Sequence, residues 1–387
     1  MSLLDLAPDD LRRLLAIAGE PSRTRVVVAM SGGVDSTVAA ALVARAGFQT
    51  AGITLQLYDQ GEVMRRKGAC CAGEDIYDAR SAADRLGIAH YVLDYESRFR
   101  EQVVQDFADA YARGETPIPC VRCNERVKFA DLLKTARELG AAALVTGHYV
   151  QRLAGAHGPE LHRAADPQRD QSYFLFTTTA EQLAYLRFPL GGLPKTETRA
   201  MAEALGLAVA SKPDSQDICF VPDGDYASVV ARVRPDAAEP GDIVHLDGRV
   251  LGRHLGVIRY TVGQRRGLEI SSPEPLYVVA LDAGRRRVTV GPRSALAQRL
   301  VPLKDVNWLG EEALGATPLP VAVKIRSMRP PVPAEIAADG RGGAVVALLD
   351  PQEAVAPGQA CAIYDAATQS RMLGGGWIVR AEKPVAA

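Results

Sequence analysis

The spacing of apolar positions changes character along this chain, and the change predicts its architecture. Val26-Val27-Val28-Ala29-Met30 is an unbroken apolar run of strand length, the pattern of a strand covered on both faces. A glycine-containing turn follows, then an alanine-rich helix expected from about Asp35 to a stop at Gly47. Further strands are expected at Gly52 to Leu57, His90 to Leu93 and Ala142 to Thr146, with helices around Asp75 to Leu86, Glu101 to Ala112 and Lys128 to Leu139. Strands alternating with helices in this way build a parallel sheet with helices on both faces, so the first part reads as α/β.

After about Phe220 the helical period fades. Short β-branched segments between Gly, Pro and Asp turns replace it, as in Asp242-Ile243-Val244-His245 before Asp247-Gly248. Val321 to Ile325, Ala344 to Leu348 and Ala360 to Tyr364 suit a small closing barrel. The expected organisation is therefore an α/β domain over residues 1–220 and two smaller, mainly β domains over 221–291 and 292–387, the last a β-barrel.

Composition narrows the function. With 387 residues, 47% hydrophobic and 24% charged, the chain has enough apolar material for several cores. No apolar run approaches the roughly 20 residues that span a bilayer. The first twenty residues lack the basic, apolar and small-residue succession of a secretion signal, so a cytoplasmic setting without membrane contact is expected. A formal net charge of −1 carries no global nucleic-acid signature, yet nine arginines stand against Glu269, Glu274 and Asp282 between Arg249 and Arg293. That strip, with Gly263-Gln264-Arg265-Arg266-Gly267 inside it, suits phosphate contacts.

Ser31-Gly32-Gly33-Val34-Asp35-Ser36 lies between the first strand and the first sheet helix, where glycines admit an anion and a helix N-terminus offers its N–H groups. It lacks the Lys-Ser/Thr of a Walker loop and the three-glycine spacing of a dinucleotide fold. Cys120-Val121-Arg122-Cys123 follows Thr116-Pro117-Ile118-Pro119, and the prolines predict a rigid, non-helical approach to a helix beginning near Glu125. Thiols there are expected to be presented to solvent, with a pKa lowered by the helix end, Arg122 and Arg126. Zinc, redox and iron–sulfur readings all fit a CxxC, although no second CxxC or paired histidines complete a zinc site. Cys219, between Ile218 and Phe220, reads by itself as a small core residue. The vicinal pair Cys70-Cys71 reads as an incidental loop pair, and Cys361 as core.

The SGGVDS segment resembles the PP-loop of the ATP pyrophosphatase superfamily, whose members adenylate a substrate oxygen and release pyrophosphate. Together with TPIPCVRCN, Thr146-Gly147-His148-Tyr149, Arg169-Asp170-Gln171-Ser172-Tyr173-Phe174 and DSQDICF, it resembles the tRNA-specific 2-thiouridylase family, MnmA, in order and spacing over nearly the whole chain. The resemblance implies a nucleotide-hydrolase-like α/β domain and a tRNA-uridine 2-sulfurtransferase. ATP, bound by Ala29, Met30, Ser31, Gly32, Gly33, Val34, Asp35, Ser36, Leu55 and Gly147, would adenylate the 2-oxygen of the wobble uridine. Mg²⁺ would sit near Asp35.

The same resemblance makes Cys219 the persulfide carrier and Cys123 the nucleophile that frees its terminal sulfur, leaving a disulfide between them. It places Ile118, Pro119 and Cys120 against the target base, and His148, Arg169, Asp170, Gln171, Arg326, Ser327 and Gln359 against tRNA. Ile118 stands where the family usually carries Asn and cannot supply that side chain's hydrogen bond. The implied partners are the tRNA anticodon loop and a persulfide donor protein or cysteine desulfurase relay. Cys120, Cys123 and Cys219 would also serve as three thiolates of a [4Fe–4S] cluster carrying exchangeable sulfur. Two other classes fit the loop alone: a different PP-loop ATP pyrophosphatase, such as an amidotransferase-linked synthetase, and a non-catalytic RNA-binding protein.

Overall fold

The computed structural model describes residues 2–58, 72–214, 218–221 and 224–380. Cys70 and Cys71 lie outside the described residues. The chain forms two compact units, one of residues 1–102, 122–216 and 370–372, the other of 103–121, 217–369 and 373–387.

The first unit is built on a five-stranded sheet in the order β3-β2-β1-β4-β7, with all neighbouring strands parallel. These strands are β1 (Arg25–Ala29), β2 (Gln49–Gln56), β3 (Ala89–Asp94), β4 (Ala143–Val145) and β7 (Leu186–Arg187). β1 is central: Val27 pairs with Ala51 on one side and Leu144 on the other, and Val26, Val27 and Val28 are fully buried. The unbroken apolar run reflects this, since no face of the strand meets water. The helix Val34–Arg45 buries Val38, Ala39, Ala40, Leu42 and Val43 in the same core. Each Val or Leu so buried stabilises the fold by about 1.5–3 kcal/mol. The helix ends where expected: Gly47 adopts φ +87°, and its N–H caps the Ala44 carbonyl. A hairpin, β5 (Val150–Gly155) and β6 (Gly158–Arg163), extends from the loop after β4.

The second unit holds two β structures. β8 (Gly241–His245), β9 (Val250–His254), β10 (Tyr277–Asp282) and β11 (Arg287–Gly291) form a four-stranded sheet in the order β10-β11-β8-β9. Its core includes Ile243, Val278, Leu281 and Val288, together with Phe107 and Tyr111 from the helix Gln105–Ala112. β12 (Ala297–Trp308), β13 (Leu319–Lys324), β14 (Val332–Ala338), β15 (Ala344–Glu353), β16 (Ala360–Asp365) and β17 (Met372–Ile378) close a six-stranded barrel. The three apolar runs picked out for a barrel fall on β13, β15 and β16. Cys361 is fully buried there, and burial pushes its thiol up to about 12, so it is an inert core residue.

Candidate active site

The Ser31–Ser36 loop leaves the C-terminal end of the central strand β1, the end at which open parallel sheets bind ligands. Gly33 is the N-cap of the helix Val34–Arg45 and supplies no side-chain cap, so the first-turn N–H groups face the loop. Ser36 shapes the loop from inside: its Oγ accepts from the Ser31 N–H at 3.1 Å and donates to the Gly33 carbonyl at 3.1 Å. Thr37 Oγ1 donates to the same carbonyl at 3.0 Å. Two glycines are required by close approach. Gly32 has φ +74°, and a Cβ there would lie 2.1 Å from the Asp75 carbonyl oxygen of the helix Ala72–Leu86. A Cβ on Gly147, just past β4, would lie 2.8 Å from both the Asp35 carbonyl carbon and the Ser36 nitrogen. Gly147 therefore seats the loop after β4 directly on the nucleotide loop. Leu55 is half-buried near the end of β2, and Met30 is buried with its N–H on the Ile53 carbonyl.

Asp35 is held by residues that the sequence reading did not single out for a role. Lys195 Nζ donates to both its oxygens at 2.6 and 2.7 Å, and the Tyr149 hydroxyl donates to Oδ1 at 2.9 Å. Burial, and then the Asp35 charge, push the Tyr149 phenol above its ordinary range, so the hydroxyl stays protonated. Lys195 is buried and also reaches Asp214 Oδ1 at 2.9 Å. Asp214 further accepts from Arg199 at 2.9 Å and Arg169 at 2.7 Å. Burial alone would raise the Asp214 carboxyl, but these three cations outweigh it and hold it below the ordinary range. Beside them Lys212 bonds Asp75 at 2.6 Å, Asp78 at 2.5 Å and the Gly32 carbonyl at 3.3 Å, fastening the helix Ala72–Leu86 over the loop.

The thiols differ from expectation at Cys123. The helix starts at Pro119, not near Glu125, and helical backbone continues through Cys123–Leu132 to Glu138. Proline is suited to the first position of a helix because its φ is preset and its missing N–H has no partner to lose. Cys123 thus sits beyond the first turn, buried at 8% exposure, and burial raises its pKa against the lowering pull of Lys128. Cys120 is the exposed member of the pair, while Ile118 and Pro119 are buried. The next residue, Asn124, is buried with its Nδ2 donating to the Phe174 carbonyl at 3.2 Å, and its Oδ1 has no partner among the described residues. Cys219 is exposed rather than core. It occupies a turn closed by the Val221 N–H on the Ile218 carbonyl, with Ile218 and Phe220 packed into the apolar core. The two flanking side chains point the turn's middle residue outward.

The residues expected to meet RNA fall into two groups. Arg169 is exposed, but the Asp170 side chain is fully buried on Arg163, and Gln171 Oε1 accepts from the Tyr149 N–H at 2.8 Å. His148 is half-buried against Phe129 and Phe188, with Nδ1 2.7 Å from Thr146 Oγ1. Burial, aided by Lys128, pushes its pKa down to about 3, so the ring is neutral at physiological pH. In the second unit, Gln359 Nε2 donates to the Thr116 carbonyl at 2.8 Å, and the Thr116 N–H donates to Pro357 O at 2.8 Å. The Pro357-Gly358-Gln359 loop thereby clasps the approach to Ile118. Arg326 donates to the Glu353 and Ala354 carbonyls beside the half-buried Ser327. All nine arginines between Arg249 and Arg293 are exposed. Arg249, Arg285, Arg286 and Arg293 pair with carboxylates, whereas among the described residues Arg253, Arg259, Arg265, Arg266 and Arg287 form no ion pair.

Family models match three consecutive stretches: a tRNA methyl transferase HUP domain over residues 24–223, a tRNA methyl transferase PRC-barrel domain over 228–292 and an aminomethyltransferase beta-barrel domain over 298–378. The tRNA-specific 2-thiouridylase MnmA of Azorhizobium caulinodans is 65% identical over 375 residues, covering 96% of each chain. The chain belongs to the tRNA-specific 2-thiouridylase MnmA family. The MnmA of Rhodospirillum centenum is likewise 65% identical, over 94% of this chain and 93% of that one. Among solved structures, the U34-tRNA thiolase NcsA from Methanococcus maripaludis aligns over 61% of this chain and 73% of its own at 17% identity and a TM-score of 0.37. A likeness that low has no bearing on function.

In this member of the MnmA family, Lys195 and Tyr149 converge on Asp35. A separate cavity of about 700 Å³ runs along β2 and β3, lined by Arg25, Phe48, Gln49, Ile53, Tyr91 and Leu93 among others, and its lining holds no His, Cys, Asp or Glu. Among the described residues no group of three or more His, Cys, Asp or Glu side chains is arranged to hold a metal ion. No described helix is long and apolar enough to cross a membrane.

Proposed function

We propose that this chain is an ATP-dependent tRNA-uridine 2-sulfurtransferase acting on the wobble uridine, position 34. The observation that carries the sulfur half is the exposed Cys219, held outward between two packed apolar residues in a chain whose Ser31–Ser36 loop leads into a helix with no side-chain N-cap. A uridine carbonyl oxygen is a poor leaving group until it becomes a phosphate ester. Attack of that oxygen on the α-phosphorus of ATP releases pyrophosphate and leaves an adenylated uridine. The loop N–H groups and helix end stabilise the phosphate charge, and Lys195 is the buried cation beside the loop.

Cys219 carries the sulfur as a persulfide. Its terminal sulfur bonds to the activated C2, the Cys123 thiolate attacks the Cys219 sulfur, and AMP departs from C2. The products are 2-thiouridine, AMP and a Cys123–Cys219 disulfide, which a dithiol reduces to reset the pair. The partners in this reading are tRNA and a persulfide donor, and the setting is the cytoplasm. The divisions 1–220, 221–291 and 292–387 separate the catalytic part from two parts that support RNA binding, with the arginine strip in the middle one.

Mg²⁺ would be held at Asp35 Oδ2, whose hydrogen-bond donor is Lys195 alone among the described residues, once that ammonium shifts toward Asp214, together with substrate phosphates and without a protein cage. When bound, it would neutralise charge on the leaving pyrophosphate. A [4Fe–4S] cluster would draw on the same three thiols, Cys120, Cys123 and Cys219, as its ligands. Iron content after anaerobic purification separates the two routes. Colourless, iron-free protein that thiolates tRNA supports the persulfide relay, whereas activity that tracks bound iron overturns it.

A further inference from the structure

Asp214 divides its two oxygens between two different surroundings. Oδ1 accepts from Lys195 and Arg199, each at 2.9 Å, and Oδ2 accepts from Arg169 at 2.7 Å. Lys195 and Arg199 are four residues apart on the helix Lys195–Ala204 and so share a face. Arg199 is fixed, since it also donates to the Ala210 and Lys212 carbonyls at 2.8 and 3.0 Å. Lys195 is buried and shared between Asp214 and Asp35. Arg169 is the open end of the series, its side chain 42% exposed. An unbroken line of charge-assisted bonds therefore runs from solvent through Arg169, Asp214 and Lys195 to Asp35 in the nucleotide loop.

We infer that Asp214 is a positioning residue that couples RNA bound at Arg169 to the carboxylate of Asp35. The inference rests on the proposed function, in which Arg169 faces tRNA. Asp35 has both oxygens engaged by Lys195 and one also by Tyr149, so its carboxylate is shielded from a second cation. A phosphate that recruits Arg169 removes one of the three cations on Asp214. Asp214 then draws harder on Lys195, the only one of its remaining partners that is shared with Asp35. Lys195 loosens from Asp35, and the freed carboxylate can serve the nucleotide and its divalent cation. Adenylation is thereby held back until RNA arrives. By linkage, ATP with its cation tightens RNA binding by the same factor.

The test measures binding of a non-hydrolysable ATP analogue with Mg²⁺, with and without a tRNA transcript carrying a wobble uridine. It uses the wild-type protein and the variants Asp214→Asn and Asp214→Glu. The expected coupling in the wild type lies within about 5–150-fold. Asp214→Asn should bring it close to one while both ligands still bind separately, and Asp214→Glu should restore part of it. A structural role alone would weaken both ligands without removing their coupling, and thermal unfolding of each variant identifies loss of fold. Full coupling in a folded Asp214→Asn protein, or no coupling in a wild type that binds and thiolates tRNA, overturns the inference and leaves the proposed function standing. A wild type that does not bind the transcript overturns both.

Discussion

Lys195 Nζ lies 2.6 and 2.7 Å from the two oxygens of Asp35, a buried ammonium gripping the one carboxylate of the nucleotide loop. The two residues are 160 positions apart in the chain. In the proposed mechanism the loop motif and this distant lysine work together, the ammonium holding the carboxylate until RNA arrives and standing as the buried cation beside the phosphates.

Replacing Lys195 by Met should therefore act twice. It leaves Asp35 and Asp214 without their shared cation, which should destabilise the protein by about 3–5 kcal/mol. It should also lower tRNA-dependent pyrophosphate release by about 100-fold. Thermal unfolding and a pyrophosphate assay read the two effects separately. Wild-type release from Lys195→Met would remove the lysine from the ATP site.

Gly147→Ala tests the close seat of the loop. The added methyl would meet the backbone of Asp35 and Ser36 at 2.8 Å, and backbone cannot rotate away. The loop must shift by several tenths of an ångström. The fold should survive, while pyrophosphate release drops on the order of 10–100-fold because the phosphates are misplaced. A change smaller than about twofold in ATP affinity and rate would show that the contact does not position the loop.

The reactivity of Cys123 should rise with pH through the alkaline range, because burial raises its pKa and only Lys128 opposes that. Lys128→Met removes the opposing charge, so the profile should move further upward and the rate at neutral pH should fall several-fold, roughly as the thiolate fraction does. Alkylation of Cys123 followed by mass spectrometry across pH gives the profile without relying on turnover. An unchanged profile would mean that Lys128 does not act on this thiol.

His148 supplies a stability signature. Its folded pKa is pushed down to about 3 from an ordinary 6.5, so between those values the unfolded chain binds the extra proton and the folded protein does not. Stability from this group is complete above pH 6.5 and is lost as pH falls toward 3. Denaturant melts of His148→Gln should show a shallower loss over that window than the wild type. Parallel curves would place the acid sensitivity elsewhere.

Much of this was legible in the sequence because it is local. Strand, glycine turn and helix around Ser31–Ser36 follow from adjacent residues, as do the α/β half and the closing barrel. Lys195 carried no local signal, since a lysine in the first turn of an ordinary helix acquires its role only when folding brings it to Asp35, and Asp214, though it opens the DSQDICF segment, drew no role of its own beside Cys219. Cys123 misled because Pro119 begins the helix that it was expected to delay. For Cys219 the immediate neighbours and the longer motif pointed in opposite directions: Ile218 and Phe220 make an apolar pattern, while DSQDICF implied a reactive thiol, and the turn buries the neighbours and exposes the thiol. Asp170 and Gln171 sit in a motif suited to RNA contact, yet their side chains are engaged within the protein, leaving Arg169 as the exposed member.

Mass analysis of tRNA nucleosides after incubation with ATP, Mg²⁺ and a persulfide donor tests the central claim most directly, with wild-type protein and Cys219→Ser side by side. The account predicts 2-thiouridine at the wobble position from the wild type, and pyrophosphate but no 2-thiouridine from Cys219→Ser. Equal thiolation by the two proteins, or pyrophosphate release by the wild type with no 2-thiouridine formed, would contradict it.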